Sequence, residues 1–213
     1  TATPGDITVV NGSLGALSPA GANTYTLVVN PTANGAVTCK VLANAATDAA
    51  GNGNTVSNTD SVTYDTTQPT CTITGTALTN QSPFTLNLVF SEAVTGLTTG
   101  GLTVSNGAAG NLQGSGTTYT VEITPVAQGS VSVHVNAAAA QDAAGNDNTQ
   151  SAAHLTVYDS VGPLPTITAV STTNTSPITF NISFNETVTG FTASDVTVTN
   201  GTKGALSVSG TTY

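Results

Sequence analysis

Apolar and polar residues alternate along several short stretches of the chain. The stretch FTLNLVF (84–90) alternates strictly, and ITFNISF (178–184) repeats its pattern. The apolar faces of these two stretches carry Phe84, Leu86, Leu88 and Phe90, and Ile178, Phe180, Ile182 and Phe184. A period of two is typical of a β-strand with one buried face. Both stretches are therefore predicted to be half-buried strands.

The alternation recurs in VSVHV (131–135) and in its counterpart at 37–41. The predicted inward positions are Val131, Val133 and Val135, matched by Val37, Cys39 and Val41. No window keeps a 3.6-residue period, and the alanine-rich stretch NAAAAQDAAGN (136–146) is too short for a stable helix and is broken by glycine. The chain is therefore predicted to be all-β.

The chain repeats itself at an interval of 94 residues, which separates Tyr25, Tyr119 and Tyr213. One segment occurs three times, as GDITVVNG, GGLTVSNG and SDVTVTNG. Internal repeats of this kind indicate a tandem array rather than one large domain. The predicted domains are a partial repeat at 1–66 that lacks its first strands, a complete repeat at 67–162, and a partial repeat at 163–213 that lacks its last strands.

Asn-Gly pairs occur at 11–12, 106–107 and 200–201. Such pairs supply the positive φ angles of a tight hairpin turn, so each pair is predicted to join two neighbouring strands. About seven short strands per repeat is the number expected of an immunoglobulin-like sandwich. The predicted fold class is all-β, with tandem immunoglobulin-like β-sandwiches in an extended array.

The net charge of the chain limits the classes of function that it can have. The chain has eleven carboxylates, two lysines and no arginine, with a net charge of −9, whereas nucleic-acid binding needs clustered cations. No apolar run approaches the 18 or so residues of a membrane span. A hydrophobic share of 38% and many β-branched residues favour a folded chain over a disordered one. Because Thr, Ser and Asn take the places of charged residues, the surface suits an extracellular protein.

Several motifs of the complete repeat resemble a known family. The stretches FSEAVTG (90–96), LTVSNG (102–107) and AAAQDAAGNDN (138–148) have the order and spacing of the bacterial Ig-like repeats of very long surface proteins and adhesins. The stretch ATDAAGNGNTVSNTDSVTYDTTQPT (46–70) resembles the end of such a repeat with its link to the next. The resemblance implies an extracellular spacer, stalk, fibre or adhesive module, often with calcium stiffening its joints.

The motif DAAGN occurs at 48–52 and again at 142–146. One interpretation is a turn, in which Asp caps the loop, Gly takes the left-handed conformation and Asn completes the reversal. The other is a metal site, although the spacing does not match an EF-hand loop. The two interpretations are compatible, because a turn can present ligands.

The expected strand order brings three segments to one pole of the complete repeat. They are the loop between the second and third strands, the loop that carries DAAGN, and the linker YDTTQP (64–69). Their oxygen-bearing side chains should converge at the first joint: Asp65, Glu92, Asp142 and Asn146, with Asp147 adjacent. Hard oxygen ligands suit Ca²⁺, which is the candidate ion. At the second joint the matching candidates are Asp159 and Glu186.

The two cysteines belong to neighbouring repeats. Cys39 takes an inward strand position where the next repeat has Val133, which favours a buried apolar role. Cys71 follows the linker at the start of a strand. Both lie toward the first joint, so a disulfide between them stays an alternative, within the strict geometry that the bridge requires.

Nothing in the sequence favours an enzyme. His134 and His154 have no counterparts in the other repeats, and the GxSxG motif of serine hydrolases does not occur. The predicted function is a structural extracellular module that forms a rod, stalk or fibre. The alternative is an adhesive module that recognises a host or surface ligand, with calcium-rigidified joints. The expected partners are neighbouring repeats of the same chain and other copies in a fibre, with neither nucleic acid nor a membrane span.

The incomplete repeats at the two ends allow two interpretations. In the first, the chain is a slice of a longer array whose flanking strands complete the end repeats. In the second, the tail of one molecule completes the head of the next by strand donation. The first is the preferred expectation, because residues 189–213 duplicate 1–25 and would be surplus after strand donation.

Overall fold

The computed structural model describes residues 4–207. These residues form strands and three short 3-10 helices (Pro4–Asp6, Thr99–Gly101 and Ala193–Asp195). The strands are β1 (Ile7–Val10), β2 (Gly12–Pro19), β3 (Tyr25–Pro31), β4 (Gly35–Val41), β5 (Asp60–Tyr64), β6 (Cys71–Thr74), β7 (Leu78–Thr79), β8 (Phe84–Val94), β9 (Leu102–Ser105), β10 (Gly107–Pro125), β11 (Gly129–Val135), β12 (His154–Tyr158), β13 (Pro165–Thr168) and β14 (Asn181–Phe184). The all-β prediction is confirmed.

The chain divides into two compact units, Thr1–Asp159 and Ser160–Tyr213. The first unit contains a complete sandwich. One of its sheets has the strand order β10-β8-β6, and the other has the order β7-β12-β11-β9. Pairing is antiparallel in both sheets except between β7 and β12, which are parallel. The predicted repeat boundaries at 66/67 and 162/163 stay predictions.

The core of the sandwich lies between the two sheets. The alternation of β8 is confirmed, because Phe84, Leu86, Leu88 and Phe90 are all buried. The facing side chains of β11 are buried as well, as predicted for Val131, Val133 and Val135. The ring of Phe90 meets that of Tyr119 edge to face, with centroids 5.9 Å apart. The contact between Phe90 and Tyr119 positions the last part of β8, which leads into the candidate site.

The Asn-Gly pairs at 11–12 and 106–107 do not close hairpins, and that prediction was wrong for them; among the described residues, no strand flanks the pair at 200–201. Asn106 has φ 58°, yet β9 before it and β10 after it belong to different sheets. A single left-handed residue lets the chain cross from one sheet to the other. The side chain of Asn106 stabilises the crossing, because its Nδ2 donates to the carbonyl oxygen of Ala127 at 2.9 Å and its Oδ1 accepts from the Ala127 N–H at 3.1 Å.

The first repeat is a half-open sandwich. Its strands form a sheet of order β1-β4-β5 and a separate β2-β3 pair. The prediction that Val41 points into a core was wrong, since its side chain is 36% exposed, and Val37 and Cys39 are only half-buried. The physical reason is that the described residues of this repeat include no counterpart of β6 or β8 to cover these positions.

The second unit pairs β13 with β14. Its predicted strand at 178–184 is shorter than expected, since only Asn181–Phe184 is a strand. Ile182 is buried, but Ile178 and Phe180 are 54% and 56% exposed, so their predicted burial was wrong. Within the described part of this unit, no second sheet covers that face. Tyr213, where the third repeat was expected to begin another strand, lies outside the described residues.

The two cysteines are both free, so the disulfide alternative was wrong. Cys71 is buried at the start of β6, and burial raises the pKa of its thiol to about 11. Cys39 lies in β4 and is half-buried. The two thiols therefore differ in accessibility.

A candidate metal centre at the first joint

The loop after β11 is held by one carboxylate. Asp142 Oδ1 accepts hydrogen bonds from the backbone N–H groups of Ala144 and Asn146, both at 2.8 Å. Asp142 Oδ2 accepts from Asn146 Nδ2, also at 2.8 Å. Gly145 has φ 89°, a conformation that glycine adopts without steric cost. The turn interpretation of DAAGN is confirmed here.

The first copy of the motif folds in the same way. Asp48 Oδ1 accepts from the N–H groups of Ala50 and Asn52 at 2.9 and 2.8 Å, and Gly51 has φ 91°. In both loops the hydrogen bond from the asparagine side chain is the first cause that holds the aspartate pKa below its usual value. The motif DAAGN therefore forms a turn at both positions. The residues around each copy decide whether its aspartate also joins a carboxylate cluster, as Asp142 does.

A second asparagine in each loop was missed by sequence reasoning. Asn148 is 1% exposed, its Oδ1 accepts from the Ala140 N–H at 2.7 Å, and its Nδ2 donates to the carbonyl oxygen of Asn136 at 2.8 Å. Asn54 makes the matching bonds in the first repeat, to the Ala46 N–H and the Leu42 carbonyl. The sequence did contain a signal for this role, because Asn54 and Asn148 lie at equivalent positions of two repeats.

The linker residue Asp65 is tied to both of its neighbouring repeats. Asn34, in the loop between β3 and β4, donates from Nδ2 to Asp65 Oδ1 at 3.1 Å. On the other side, Asn146 Nδ2 donates to the Asp65 carbonyl oxygen at 3.1 Å. The N–H of Thr149 also bonds the carbonyl oxygen of Pro69 at 2.9 Å. These hydrogen bonds therefore attach the linker to the complete repeat.

Glu92 lies near the end of β8 and not in a loop, which corrects the prediction of its position. The pairing of β8 with β10 is irregular there, shifting between Gly116 and Thr118. This irregular segment faces the linker, since the Ser91 N–H donates to the Thr70 carbonyl at 2.9 Å. Glu92 is consequently presented to the joint by a strand.

Three carboxylates meet at this point. Asp65, Glu92 and Asp142 each place a carboxylate oxygen within 4.8 Å of the other two. Asp142 is buried, and the other two are half-buried. Within the part of the chain that the structure describes, no cation pairs with Glu92. Burial, followed by the charges of Asp65 and Asp142, raises the pKa of Glu92.

The two pKa shifts predict opposite responses to acid. Asp142 should titrate below its usual 3.8, so its contribution to stability is present above that value and is lost as the pH falls through the lowered pKa. Glu92 should titrate above its usual 4.5, so protonation as the pH falls through that raised pKa relieves a repulsion. Carboxyl-carbon NMR should show Glu92 titrating first on acidification. The reverse order would contradict this electrostatic description of the cluster.

The remaining predicted ligands have different positions. Asn146 belongs to the site, but it donates its amide N–H groups to Asp142 and to the Asp65 carbonyl. It therefore holds the carboxylate of Asp142 and the backbone of Asp65. Asp147 is exposed, lies outside the three-carboxylate cluster, and accepts a hydrogen bond from Gln141 Nε2 at 2.9 Å.

The candidates for the second joint fall in different units. Asp159 ends the first unit and accepts a hydrogen bond from Gln128 Nε2 at 3.1 Å, as Asp65 does from Asn34 one repeat earlier. Glu186 is half-buried in the second unit. The hydrogen bond from Gln128 to Asp159 thus repeats the bond from Asn34 to Asp65 at the first joint. A metal site shared by Asp159 and Glu186 stays a prediction.

The donor set of the first cluster suits a hard divalent cation. Its three carboxylates offer only oxygen atoms, and Ca²⁺ takes six to eight oxygens from carboxylates, carbonyls and water. The chain has no thiolate or imidazole in the cluster, which disfavours zinc as the preferred ion. A calcium ion here would offset the mutual repulsion of the three carboxylates.

Comparison with known proteins identifies the array. The family model for the bacterial Ig-like domain matches three consecutive segments, residues 2–64, 65–158 and 159–213. The chain belongs to the bacterial Ig-like domain family. No curated protein matches it. The bacterial Ig-like segments follow one another along almost the whole chain, so the predicted tandem organisation is confirmed.

Bacterial Ig-like domains occur commonly in surface proteins, where they act as structural or adhesive modules, and they are typically not enzymes. The described residues contain no helix with the length and apolar character needed to cross a membrane. His134 and His154 lie on β11 and β12 and do not belong to the carboxylate cluster.

Proposed function

We propose that this chain is an extracellular structural module whose repeats form a rod, stalk or fibre, with Ca²⁺ at the first joint fixing one repeat to the next. The observation that carries the proposal is the double attachment of Asp65. Its carboxylate is bonded by the first repeat and its carbonyl by the complete repeat, while the same side chain reaches Glu92 and Asp142.

Calcium would act by joining three segments that are distant in sequence. Asp65 is in the linker, Glu92 lies near the end of β8 and Asp142 lies after β11, so an ion bound to all three would tie the linker to both sheets of the sandwich. Without the ion, like charges push these segments apart. Calcium should therefore narrow the range of angles between the first two repeats, which is the property required of a stiff spacer.

An adhesive function ranks second. Aromatic side chains are the usual anchors of a recognition surface. In the complete repeat, however, Phe84, Phe90 and Tyr119 are buried in the core. This use of its aromatic residues favours a structural role for the complete repeat.

The proposal predicts that calcium raises the melting temperature and that chelation lowers it, because a ligand that binds only the folded state stabilises that state. Small-angle scattering should show a narrower distribution of shapes with calcium than with chelator. Glu92→Gln should remove most of both effects while the protein stays folded. In chelator, the same variant should melt no lower than the parent, because it loses a repelled charge.

Asp147→Asn is the matched control, since it removes one negative charge next to the site but outside the cluster. It should keep the full calcium response. Melting curves and scattering profiles of the parent protein that are identical with calcium and with chelator would contradict the proposal. Equal losses in Glu92→Gln and Asp147→Asn would mean that calcium acts through general charge screening and not at this site.

A further inference from the structure

One side chain of the first repeat holds the start of the linker. The Nδ2 of Asn34 donates to Asp65 Oδ1 at 3.1 Å and to Thr67 Oγ1 at 2.7 Å. Its Oδ1 accepts from the N–H and from the hydroxyl of Thr66, at 3.1 and 2.9 Å. An amide side chain has two N–H donors and two acceptor positions, so Asn34 uses all of them on three consecutive residues. We call these residues, 65–67, the linker turn.

The linker turn continues the sheet of the first repeat. Asn34 lies directly before β4, and Asp65 directly follows β5, where Gly35 pairs with Tyr64. The turn also has an internal bond, because the N–H of Thr67 donates to Asp65 Oδ1 at 2.9 Å. The bonds of Asn34 are therefore the next rung beyond the β4-β5 ladder, and the linker turn should move with the first repeat.

The end of the linker is held by the complete repeat instead. The side chain of Pro69 is fully buried, and its carbonyl accepts from the N–H of Thr149 at 2.9 Å. Thr70 and Ser91 are joined twice: the Thr70 N–H donates to Ser91 Oγ at 3.0 Å, and the Ser91 N–H donates to the Thr70 carbonyl at 2.9 Å. Residues 69–70 therefore belong to the complete repeat.

Gln68 is the one residue between these two attachments. It is exposed, and among the described residues it makes no hydrogen bond. Within the same part of the chain, no sheet contains strands from both repeats. The proline that follows keeps Gln68 in extended conformations, which limits its rotation without preventing it. Rotation at Gln68 is therefore the freedom that the linker keeps.

The contacts that bridge Gln68 lie at the candidate metal centre. Asn146 of the complete repeat donates to the Asp65 carbonyl at 3.1 Å, and the Asp65 carboxylate approaches those of Glu92 and Asp142. All of these contacts reach the linker turn at Asp65. The first repeat therefore depends on the bonds of Asn34 for any restraint that is applied at Asp65.

We infer that the first joint bends at Gln68 and that Asn34 is the positioning residue through which an ion at Asp65 orients the first repeat. The role of the ion rests on the proposed function, whereas the position of the hinge does not. A hinge of this kind needs only a few loop residues that absorb the change in backbone angles. Without Asn34, an ion would still attach Asp65 to the complete repeat, but the first repeat could turn about the whole linker turn.

The test measures residual dipolar couplings of the backbone amides of the first two repeats, in saturating CaCl2 and in EDTA. With calcium, both repeats of the parent should fit one alignment. In Asn34→Ala the two repeats should align separately even when the site is saturated. Calorimetric titration with CaCl2 shows that the ion still binds, with an affinity about tenfold lower, the usual cost of removing a residue that supports a metal ligand.

Asn34→Gln should restore the common alignment, because the complete repeat has Gln128 at the equivalent position, where its Nε2 donates to Asp159 Oδ1 at 3.1 Å. Asn30→Ala is the matched control, since Asn30 is exposed on β3 of the same repeat, and it should behave like the parent. Hydrogen exchange gives a local measure. The Thr66 amide should exchange about tenfold faster in Asn34→Ala only, as expected when one bond is lost.

Two results would overturn the inference. One is a common alignment of the two repeats in calcium-saturated Asn34→Ala. The other is an equal range of orientations for Asn34→Ala and the parent in EDTA, because the wider range expected of the variant does not depend on calcium. A parent chain whose couplings are the same in CaCl2 and in EDTA would contradict the proposed function, and the comparison in EDTA would still decide whether Asn34 holds the linker turn.

Discussion

Replacing Phe90 with alanine should destabilise the complete repeat by about 3–5 kcal/mol, the usual cost of truncating a core phenylalanine. Phe90 is 3% exposed, pairs with Cys71 across the sheet, and packs edge to face on Tyr119. Truncation would leave a cavity in the core and loosen Tyr119, whose hydroxyl donates to the Val94 carbonyl at 2.9 Å. Denaturant unfolding, followed through the amide NMR signals of β8 and β11, measures the change.

Val89→Ala provides the control, because Val89 neighbours Phe90 on the same strand but is 44% exposed on the outer face. Its substitution should cost less than about 1 kcal/mol, as is usual for surface positions. Equal effects of the two substitutions would mean that the two faces of β8 have been assigned the wrong way round.

Replacing Asn148 with alanine should destabilise the same repeat by about 2–3 kcal/mol, because a buried backbone group that loses its partner costs about 1–3 kcal/mol. The Ala140 N–H and the Asn136 carbonyl would both lose the hydrogen bonds that they make with this side chain. The loop that carries Asp142 begins between these anchors. We therefore expect the variant to bind calcium more weakly as well as to unfold at lower denaturant concentration.

Asn87→Ala is the matched control for this variant. Asn87 is exposed on the outer face of β8, and its removal should change stability by no more than about 0.5 kcal/mol. If Asn148→Ala unfolded at the same denaturant concentration as the parent, the buried amide would have no role in holding the loop. Hydrogen exchange at the Ala140 amide gives an independent measure, since that N–H should exchange faster in Asn148→Ala alone.

Much of the fold could be predicted from alternation, because alternation reports directly on which face of a strand is buried. It succeeded for Leu86 and Leu88, where a second sheet is present to cover them. It failed for Ile178 and Phe180, which have the same pattern without a cover in the described residues of their unit. An alternating pattern indicates which side chains could be buried together, whereas their burial also requires a second sheet that faces them.

The turns were harder to predict, because local sequence does not show which sheet the next strand joins. Asn106 has the positive φ expected of a hairpin residue, but it carries the chain between two sheets. The conformation of the residue was therefore predictable and the topology was not. Glu92 shows a related limit: the extension of β8 beyond residue 90 depends on an irregular pairing with β10 that no periodicity indicates.

The candidate site was accessible from the sequence through the order of the strands. Asp65, Glu92 and Asp142 are distant along the chain, and the sandwich topology brings them to one pole. The roles of the asparagines could not be predicted from the sequence, because an amide side chain can accept a hydrogen bond through its oxygen or donate one through its N–H groups. Asn146 offers its N–H groups to Asp142 and Asp65, and Asn148 supports the loop from inside.

The most direct test of the calcium joint is an NMR titration of the parent chain with Ca²⁺, following its backbone amides. Binding at the three-carboxylate cluster predicts saturable shifts at residues 64–67, around Glu92 and at 142–146, where the ligands and their turn lie. Amides of the DAAGN copy at 48–52 should hardly move, because that loop has the same turn without the other two carboxylates. Shifts of equal size in the two loops, or none at 142–146, would contradict a calcium site at the first joint.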